Sequence, residues 1–131
     1  MTPPVRLATP ADADARMKKA DEFADAAAVH FDEARGVADG PDVFVTLAVH
    51  AGIAAADVIC IRRGLGYSAS GNHEEALKLL EKADRDAVKH LRRLLAVKTK
   101  AGYSTNSVSA AEVKSAQAAH LALLEAARAT R

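Results

Sequence analysis

The pattern of apolar and polar positions predicts four helices, of which the first covers residues 10–35. Thr9 and Pro10 suit an N-cap and a first helical residue, and Gly36 follows as a stop signal. Between them, apolar residues recur at intervals of three or four: Ala20, Phe23, Ala27, Phe31 and Ala34. Such spacing places them on one face of a helix, which therefore packs against the rest of the protein.

The second predicted helix, residues 41–64, is apolar nearly all round. Pro41 is favourable in the first turn of a helix, and Gly64 is favourable at the position where a helix ends. A helix that is apolar on every side is contacted on several sides. We therefore expect this helix at the centre of the protein.

The third predicted helix runs from His73 to Lys100, after an Asn72–Glu75 pair that resembles a capping box, and Gly102 follows it. Its inner face consists of five apolar residues, with Lys98 as a candidate extension: Leu77, Leu80, Ala87, Leu91 and Leu94. The fourth predicted helix starts after a second capping box, at Ser109, and runs to Thr130. One side of it carries Val113, Ala116, His120, Leu124 and Ala127.

No alternation of apolar and polar residues is long enough to predict a sheet. The breaks between the helices are short, which favours antiparallel neighbours. The sequence therefore predicts an all-α protein, an up-and-down antiparallel four-helix bundle in one domain of residues 9–131, after a flexible tail of residues 1–8. Its 31 alanines and 4 % aromatic residues are typical of tight helical packing.

Cysteine usage and the N-terminal residues bear on the compartment. The one cysteine, Cys60, excludes an internal disulfide and lies in an apolar segment, as a buried unreactive thiol does. The first residues lack the apolar core of a signal peptide. No segment contains the roughly 20 consecutive apolar residues that a membrane-spanning helix needs. We expect a cytoplasmic protein.

Charge is distributed unevenly along the chain. Residues 1–60 contain five Lys and Arg against ten Asp and Glu, and residues 61–131 contain thirteen against seven. Acidic and basic helices packed side by side account for this, and so does a basic surface for phosphate or nucleic acid. On the third predicted helix, seven basic residues fall on one face, roughly opposite the leucines: Lys78, Lys82, Arg85, Lys89, Arg92, Arg93 and Lys100. Either this face is solvated and paired with nearby acidic residues of the same helix, or it binds phosphate, with Lys82, Lys89 and Arg92 as the candidate residues.

The central apolar segment AVHAGIAAADVICIRR, residues 48–63, contains His50 and Asp57. They lie within about 20° of each other around the helix axis and roughly 10 Å apart along it. Either both are satisfied by neighbouring helices, as buried polar groups usually are, or they form the floor of a pocket or a dimer seam.

Three histidines, His30, His50 and His120, fall near inner faces and raise the possibility of a zinc or nickel site. No Glu-x-x-His occurs, which argues against a di-iron carboxylate site. Phosphate-binding glycine loops and nucleophile elbows are also missing from the sequence.

Three segments in this order resemble the HEPN domain family: AVHAGIAAADVI (48–59), HEEALKLL (73–80) and KTKAGYSTNSVSAAEV (98–113). The resemblance covers roughly residues 20–127 and is to compact bacterial HEPN proteins. It implies a bundle of four to five helices, usually a homodimer, that acts as a ribonuclease or toxin, binds nucleotides, or serves as a scaffold.

Ribonuclease members of the family share an arginine, a polar residue and a following histidine, which Arg85, Asp86 and His90 match. That resemblance implies that His90 is a general acid/base and that Arg85 stabilises the charged phosphorane. On one continuous helix the two side chains point about 140° apart. They converge only if the helix breaks between them or if a dimer partner completes the site.

These observations favour a homodimeric HEPN-like binding or interaction module whose partner is RNA, a nucleotide or another protein. A metal-independent ribonuclease of toxin type and a three-histidine metal-binding bundle are the alternatives. The sequence predicts no cofactor and no membrane association.

Overall fold

The computed structural model describes residues 5–68 and 72–131, and it is predominantly helical. The helices are α1 (Pro10–Val29), α2 (Pro41–Arg62), α3 (His73–Ala83), α4 (Val88–Tyr103) and α5 (Ala110–Ala129). Four strands of two residues each are β1 (Val5–Arg6), β2 (Phe31–Asp32), β3 (Val37–Ala38) and β4 (Tyr67–Ser68). Antiparallel pairing joins β1 to β4 and β2 to β3. The predicted all-α class therefore holds apart from these short ladders.

The core of the protein is built around α2, which packs against all four other helices. The prediction of a central second helix is confirmed, and its bounds agree within two residues. Within the described residues, α2 is also the one helix long and apolar enough to cross a membrane. Of its most apolar stretch, 72 % is buried inside the protein, so contacts with the other helices account for its apolar character.

Polar contacts at the C-terminal end of α2 define the direction of its neighbours. The Arg62 guanidinium donates hydrogen bonds to the carbonyl oxygens of Ala127 (2.9 Å) and Thr130 (3.3 Å), at the end of α5. It also pairs with Asp14, near the start of α1, at 3.3 Å. Consequently α5 runs parallel to α2, and α1 runs antiparallel to it.

The opposite end of the protein is held by two further contacts. The Asp42 carboxylate, in the first turn of α2, accepts a hydrogen bond from the Val108 amide just before α5 (2.9 Å). Lys100, near the end of α4, donates to Glu112 in the first turn of α5 (2.8 Å). The end of α4 therefore lies beside the starts of α2 and α5, and α4 runs antiparallel to both.

The predicted first helix is too long at its C-terminal end, because α1 gives way to the β2–β3 hairpin. The side chain and carbonyl of Asp32 accept hydrogen bonds from the amides of Arg35 (3.1 Å) and Gly36 (2.8 Å). Gly36 has a φ of 66°, which suits glycine. Of the predicted inner-face residues in this segment, Phe31 is half-buried and Ala34 is exposed.

The predicted third helix is wrong as a single element, since the chain breaks into α3 and α4 at Asp84. This residue is extended (φ −157°, ψ 96°), and its carboxylate accepts a hydrogen bond from the Ala87 amide at 3.2 Å. A side chain that bonds nearby backbone in this way competes with helix formation. The predicted inner face is nevertheless confirmed, because its five apolar residues are all buried, and the candidate extension Lys98 is half-buried.

Local signals at the helix starts are confirmed. Thr9 with Asp12 and Ser109 with Glu112 form reciprocal capping boxes. Asn72 caps α3 by accepting from the amides of Glu74 and Glu75. Of the predicted flexible tail, residues 1–4 lie outside the described residues, whereas residues 5 and 6 form β1.

Gly52 allows α2 and α4 to approach closely. A Cβ at this position would clash with Leu94 Cδ1 and lie 3.2 Å from Leu123 Cδ1, and both leucines are fully buried. We expect Gly52→Ala to lower the free energy of unfolding by about 1–3 kcal/mol through overpacking. Chemical denaturation measures this. Gly102→Ala, which meets no atom within 4 Å in α4, is the control and is expected to stabilise by about 0.5–1 kcal/mol. Equal effects of the two substitutions would contradict the packing argument.

Candidate functional site

A cavity of about 270 Å³ lies between α2, α3 and α4. Its walls are formed by His50, Ile53, Ala56, Asp57, Cys60, Ser68, Asn72, His73, Ala76, Leu79, Leu91, Leu95 and Lys98. Most of this lining is apolar, with a few polar groups, which is the usual composition of a small-molecule site.

Two sequence candidates, His50 and Asp57, both line this cavity. The predicted stripe on α2 is therefore part of a pocket wall, together with Ile53. The His50 side chain is exposed, and its ring stacks on that of Phe23 with 5.1 Å between the ring centroids. His50 thus lies where the pocket meets solvent.

Asp57 is the one carboxylic acid among the residues that line the pocket. Its side chain is 16 % exposed, and burial raises the pKa of its carboxyl to about 6 even though the Arg16 guanidinium, 3.7 Å away, opposes the shift. Arg16 in turn lies over the ring of Tyr67, 4.9 Å from its centroid. Among the described residues, none donates a hydrogen bond to Asp57. The carboxylate is therefore poorly compensated for its loss of water.

Two further groups lie near the C-terminal end of α2. Burial, followed by the charge of Asp57, raises the pKa of the Cys60 thiol to about 12, so the predicted unreactive thiol is supported. The Ser68 hydroxyl is fully buried and has no hydrogen-bond partner among the described residues. An unsatisfied buried hydroxyl costs free energy, which a bound molecule or water would recover.

Lys98 and His73 complete the polar lining, and both are half-buried. Within the described part of the chain, no carboxylate lies within ion-pair distance of Lys98. Neither residue was among the sequence candidates. Lys98 lies seven residues, about two helical turns, after Leu91, so it falls on the same face of the helix as the buried leucines. This spacing can be read from the sequence. His73 and Ser68 enter the pocket through tertiary packing and leave no comparable pattern.

The other sequence candidates lie outside the pocket. Lys82, Lys89 and Arg92 are exposed on α3 and α4. Because the chain bends at Asp84, they do not form the single helix face that the sequence predicted.

Arg85 and His90 lie on either side of the start of α4. Arg85 is exposed in the turn before this helix, and His90 is in its first turn. The His90 Nδ1 atom is buried without a partner among the described residues, and burial with the Lys89 and Arg93 charges lowers the pKa of the ring. The break in the predicted third helix, which Arg85 and His90 need in order to converge, is therefore present, although the structure shows no contact between the two side chains.

The three-histidine metal site is not supported. In residues 5–68 and 72–131, no group of three His, Cys, Asp or Glu side chains could hold a metal ion. His120 is instead a core residue: its Nδ1 lies 2.9 Å from the Ala116 carbonyl oxygen, and its ring meets Phe44 edge-on. His30 and His50 lie in separate surface regions.

No family model, curated protein or solved structure matches the chain.

The raised pKa of Asp57 makes folding stability dependent on pH. A carboxyl whose pKa rises from 3.8 to about 6 on folding binds its proton more tightly in the folded state, so stability falls as pH rises through this range. We expect Asp57→Asn to remove this loss and to gain up to about 3 kcal/mol relative to the native protein between pH 3.5 and pH 7. Urea denaturation at several pH values measures the difference. The exposed variant Asp25→Asn is the control, and parallel curves for the native protein and Asp57→Asn would contradict the expectation.

Proposed function

We propose that the protein is a HEPN-like four-helix bundle that acts as a small-molecule-binding module through the pocket between α2, α3 and α4. The observation that carries this proposal is the pocket lining: Asp57, Ser68 and Lys98 lie in mostly apolar walls. Among the described residues, Asp57 has the Arg16 ion pair at 3.7 Å but no hydrogen-bond donor, and Ser68 and Lys98 have neither a hydrogen-bond nor an ion-pair partner. Polar groups in such a position gain most from a ligand that supplies the missing partners.

The helix arrangement supports this proposal. The long helices α1, α2, α4 and α5 alternate in direction, as the proposed bundle requires. The shorter α3 lies in the connection between α2 and α4, and its residues His73, Ala76 and Leu79 form one wall of the cavity. The pocket therefore depends on the chain segment that departs from a simple bundle.

Ligand binding to this pocket can be tested by amide chemical-shift mapping with a library of small soluble molecules. We expect binders to shift amides around Asp57, Ala76 and Leu95. Ala76→Met places a larger side chain in the cavity and is expected to weaken binding at least about tenfold. Ala96→Met, on the exposed side of α4, is the matched control and should bind as the native protein does. Binding that is insensitive to Ala76→Met, or shifts confined to other surfaces, would refute the pocket.

A metal-independent ribonuclease is the second candidate function, and the break at Asp84 favours it. This break removes the fixed angle between Arg85 and His90 that a continuous helix imposes. The His90 ring has a lowered pKa, which suits a base that is neutral near physiological pH. Exposed Lys82, Lys89 and Arg92 on the same two helices supply positive charge for a phosphate backbone.

Cleavage of a labelled single-stranded RNA without added metal tests the ribonuclease. We expect the native protein to cut and both Arg85→Ala and His90→Ala to lose at least about a hundredfold in rate, because each removes a separate transition-state contribution. Arg63→Ala, an exposed position at the end of α2, is the control. Absence of cleavage by the native protein, or full activity of both variants, would rule this function out.

Homodimerisation, which the family resemblance implies, stays a prediction. Light scattering at the concentrations used for binding reports the oligomeric state.

A further inference from the structure

The pocket has two chemically different ends. Because α4 runs antiparallel to α2 and Leu94 lies against Gly52, Lys98 is displaced from this crossing towards the His50 end of the pocket. Asp57 lies on the other side of Gly52, towards the end of α2. The two charged groups are therefore separated along the pocket, and they approach its interior from different helices.

The end near Asp57 calls for a hydrogen-bond donor. Arg16 approaches the Asp57 Oδ2 atom at 3.7 Å, which is beyond hydrogen-bond distance, and Oδ1 has no donor among the described residues. The buried Ser68 hydroxyl belongs to the same end, because β4 follows α2 closely and the adjacent Tyr67 contacts Arg16. A carboxylate with an unused oxygen and a hydroxyl without a partner suit an amine-type group.

The end near Lys98 calls for an acceptor. The Lys98 side chain is half-buried in the pocket wall, and no carboxylate of the described residues lies within ion-pair distance of its ammonium. Its neighbour on the same helix, Lys100, is paired with Glu112 and is not available. An anionic group on a ligand would satisfy Lys98 with charge-assisted hydrogen bonds.

The walls between these ends are apolar, with Ile53 from α2, Ala76 and Leu79 from α3, and Leu91 and Leu95 from α4. His50 and Asp57 mark a length of about two helical turns, roughly 10 Å, along this surface. A compact apolar body fits between the ends and contributes through the area that it buries.

We propose, on the basis of the pocket function above, that the ligand is amphoteric: an amine-type donor group bound by Asp57 and Ser68, an apolar body, and an anionic group bound by Lys98. A molecule with both ends satisfies the uncompensated groups of the pocket at once. A molecule with one end leaves either Asp57 with the distant Arg16 guanidinium alone or Lys98 without a counter-ion among the described residues.

The test compares 4-(aminomethyl)benzoate with 4-methylbenzoate and 4-methylbenzylamine, each of which lacks one charged end. Dissociation constants come from amide chemical-shift titrations of the full chain at pH 7.5. We expect the amphoteric probe to bind at least about tenfold more tightly than either probe with a single charge, since one charge-assisted hydrogen bond is worth about that factor.

Two variants assign the ends. In Asp57→Asn the amphoteric probe should bind no better than 4-methylbenzoate, and in Lys98→Met no better than 4-methylbenzylamine. Asp25→Asn and Lys18→Met, both exposed on α1, are matched controls and should keep the native order of affinities. Amide spectra of each variant confirm that it is folded before it is titrated.

Two results would overturn the inference. Equal affinity for the three probes, unchanged by Asp57→Asn and Lys98→Met, would show a pocket that binds the apolar body alone and would leave the proposed binding function standing. No shift of pocket amides by any of the three, while members of the small-molecule library do shift them, would likewise reject the amphoteric ligand only. Failure of the library as well would reject the pocket function itself.

Discussion

The packing of α2 against every other helix is the constraint on which the remaining structure depends. Such a helix can be approached closely only where its side chains are small, and Gly52 meets Leu94 and Leu123 at the crossing with α4 and α5. The same burial removes water from a polar side chain that lies on an inner face of α2. Asp57 is in that position, and the raised pKa of its carboxyl measures the free energy that burial costs and that Arg16 does not offset. The core and the candidate site are therefore consequences of one arrangement.

The break at Asp84 turns this arrangement into a pocket. The Asp84 carboxylate holds the Ala87 amide, which ends α3 and lets α4 begin in a new direction. As a result α3 supplies Ala76 and Leu79 to a cavity that Ile53 of α2 and Leu95 of α4 also line. The same turn presents Arg85 at the surface just before α4, separate from the pocket. The candidate small-molecule site thus depends on the wall that α3 forms, and the candidate ribonuclease site depends on the exposed turn before α4. Both features follow from the hydrogen bond between Asp84 and the Ala87 amide.

Features that depend on a few neighbouring residues could be predicted from the sequence. The capping boxes at Thr9 and Ser109 involve hydrogen bonds three residues apart, and the buried face of leucines follows from helical spacing. The end of α1 could not, because Phe31 leaves the helical pattern to stack on Phe44 of α2, with 5.3 Å between ring centroids. Likewise the stripe of His50 and Asp57 was visible in the sequence, but whether it faced helices or a cavity depended on where α3 lies.

Stability alone does not account for the polar groups of the pocket. Above pH 6 an ionised Asp57 in this position destabilises the folded protein relative to a neutral residue of similar size. The Ser68 hydroxyl, which lines the same pocket, has no hydrogen-bond partner among the described residues, and Lys98 adds a half-buried basic side chain. An apolar residue at any one of these positions would extend the existing walls at lower cost in free energy. A ligand that pairs with these groups would recover part of this cost as binding free energy, and that is the physical argument for the proposed binding site.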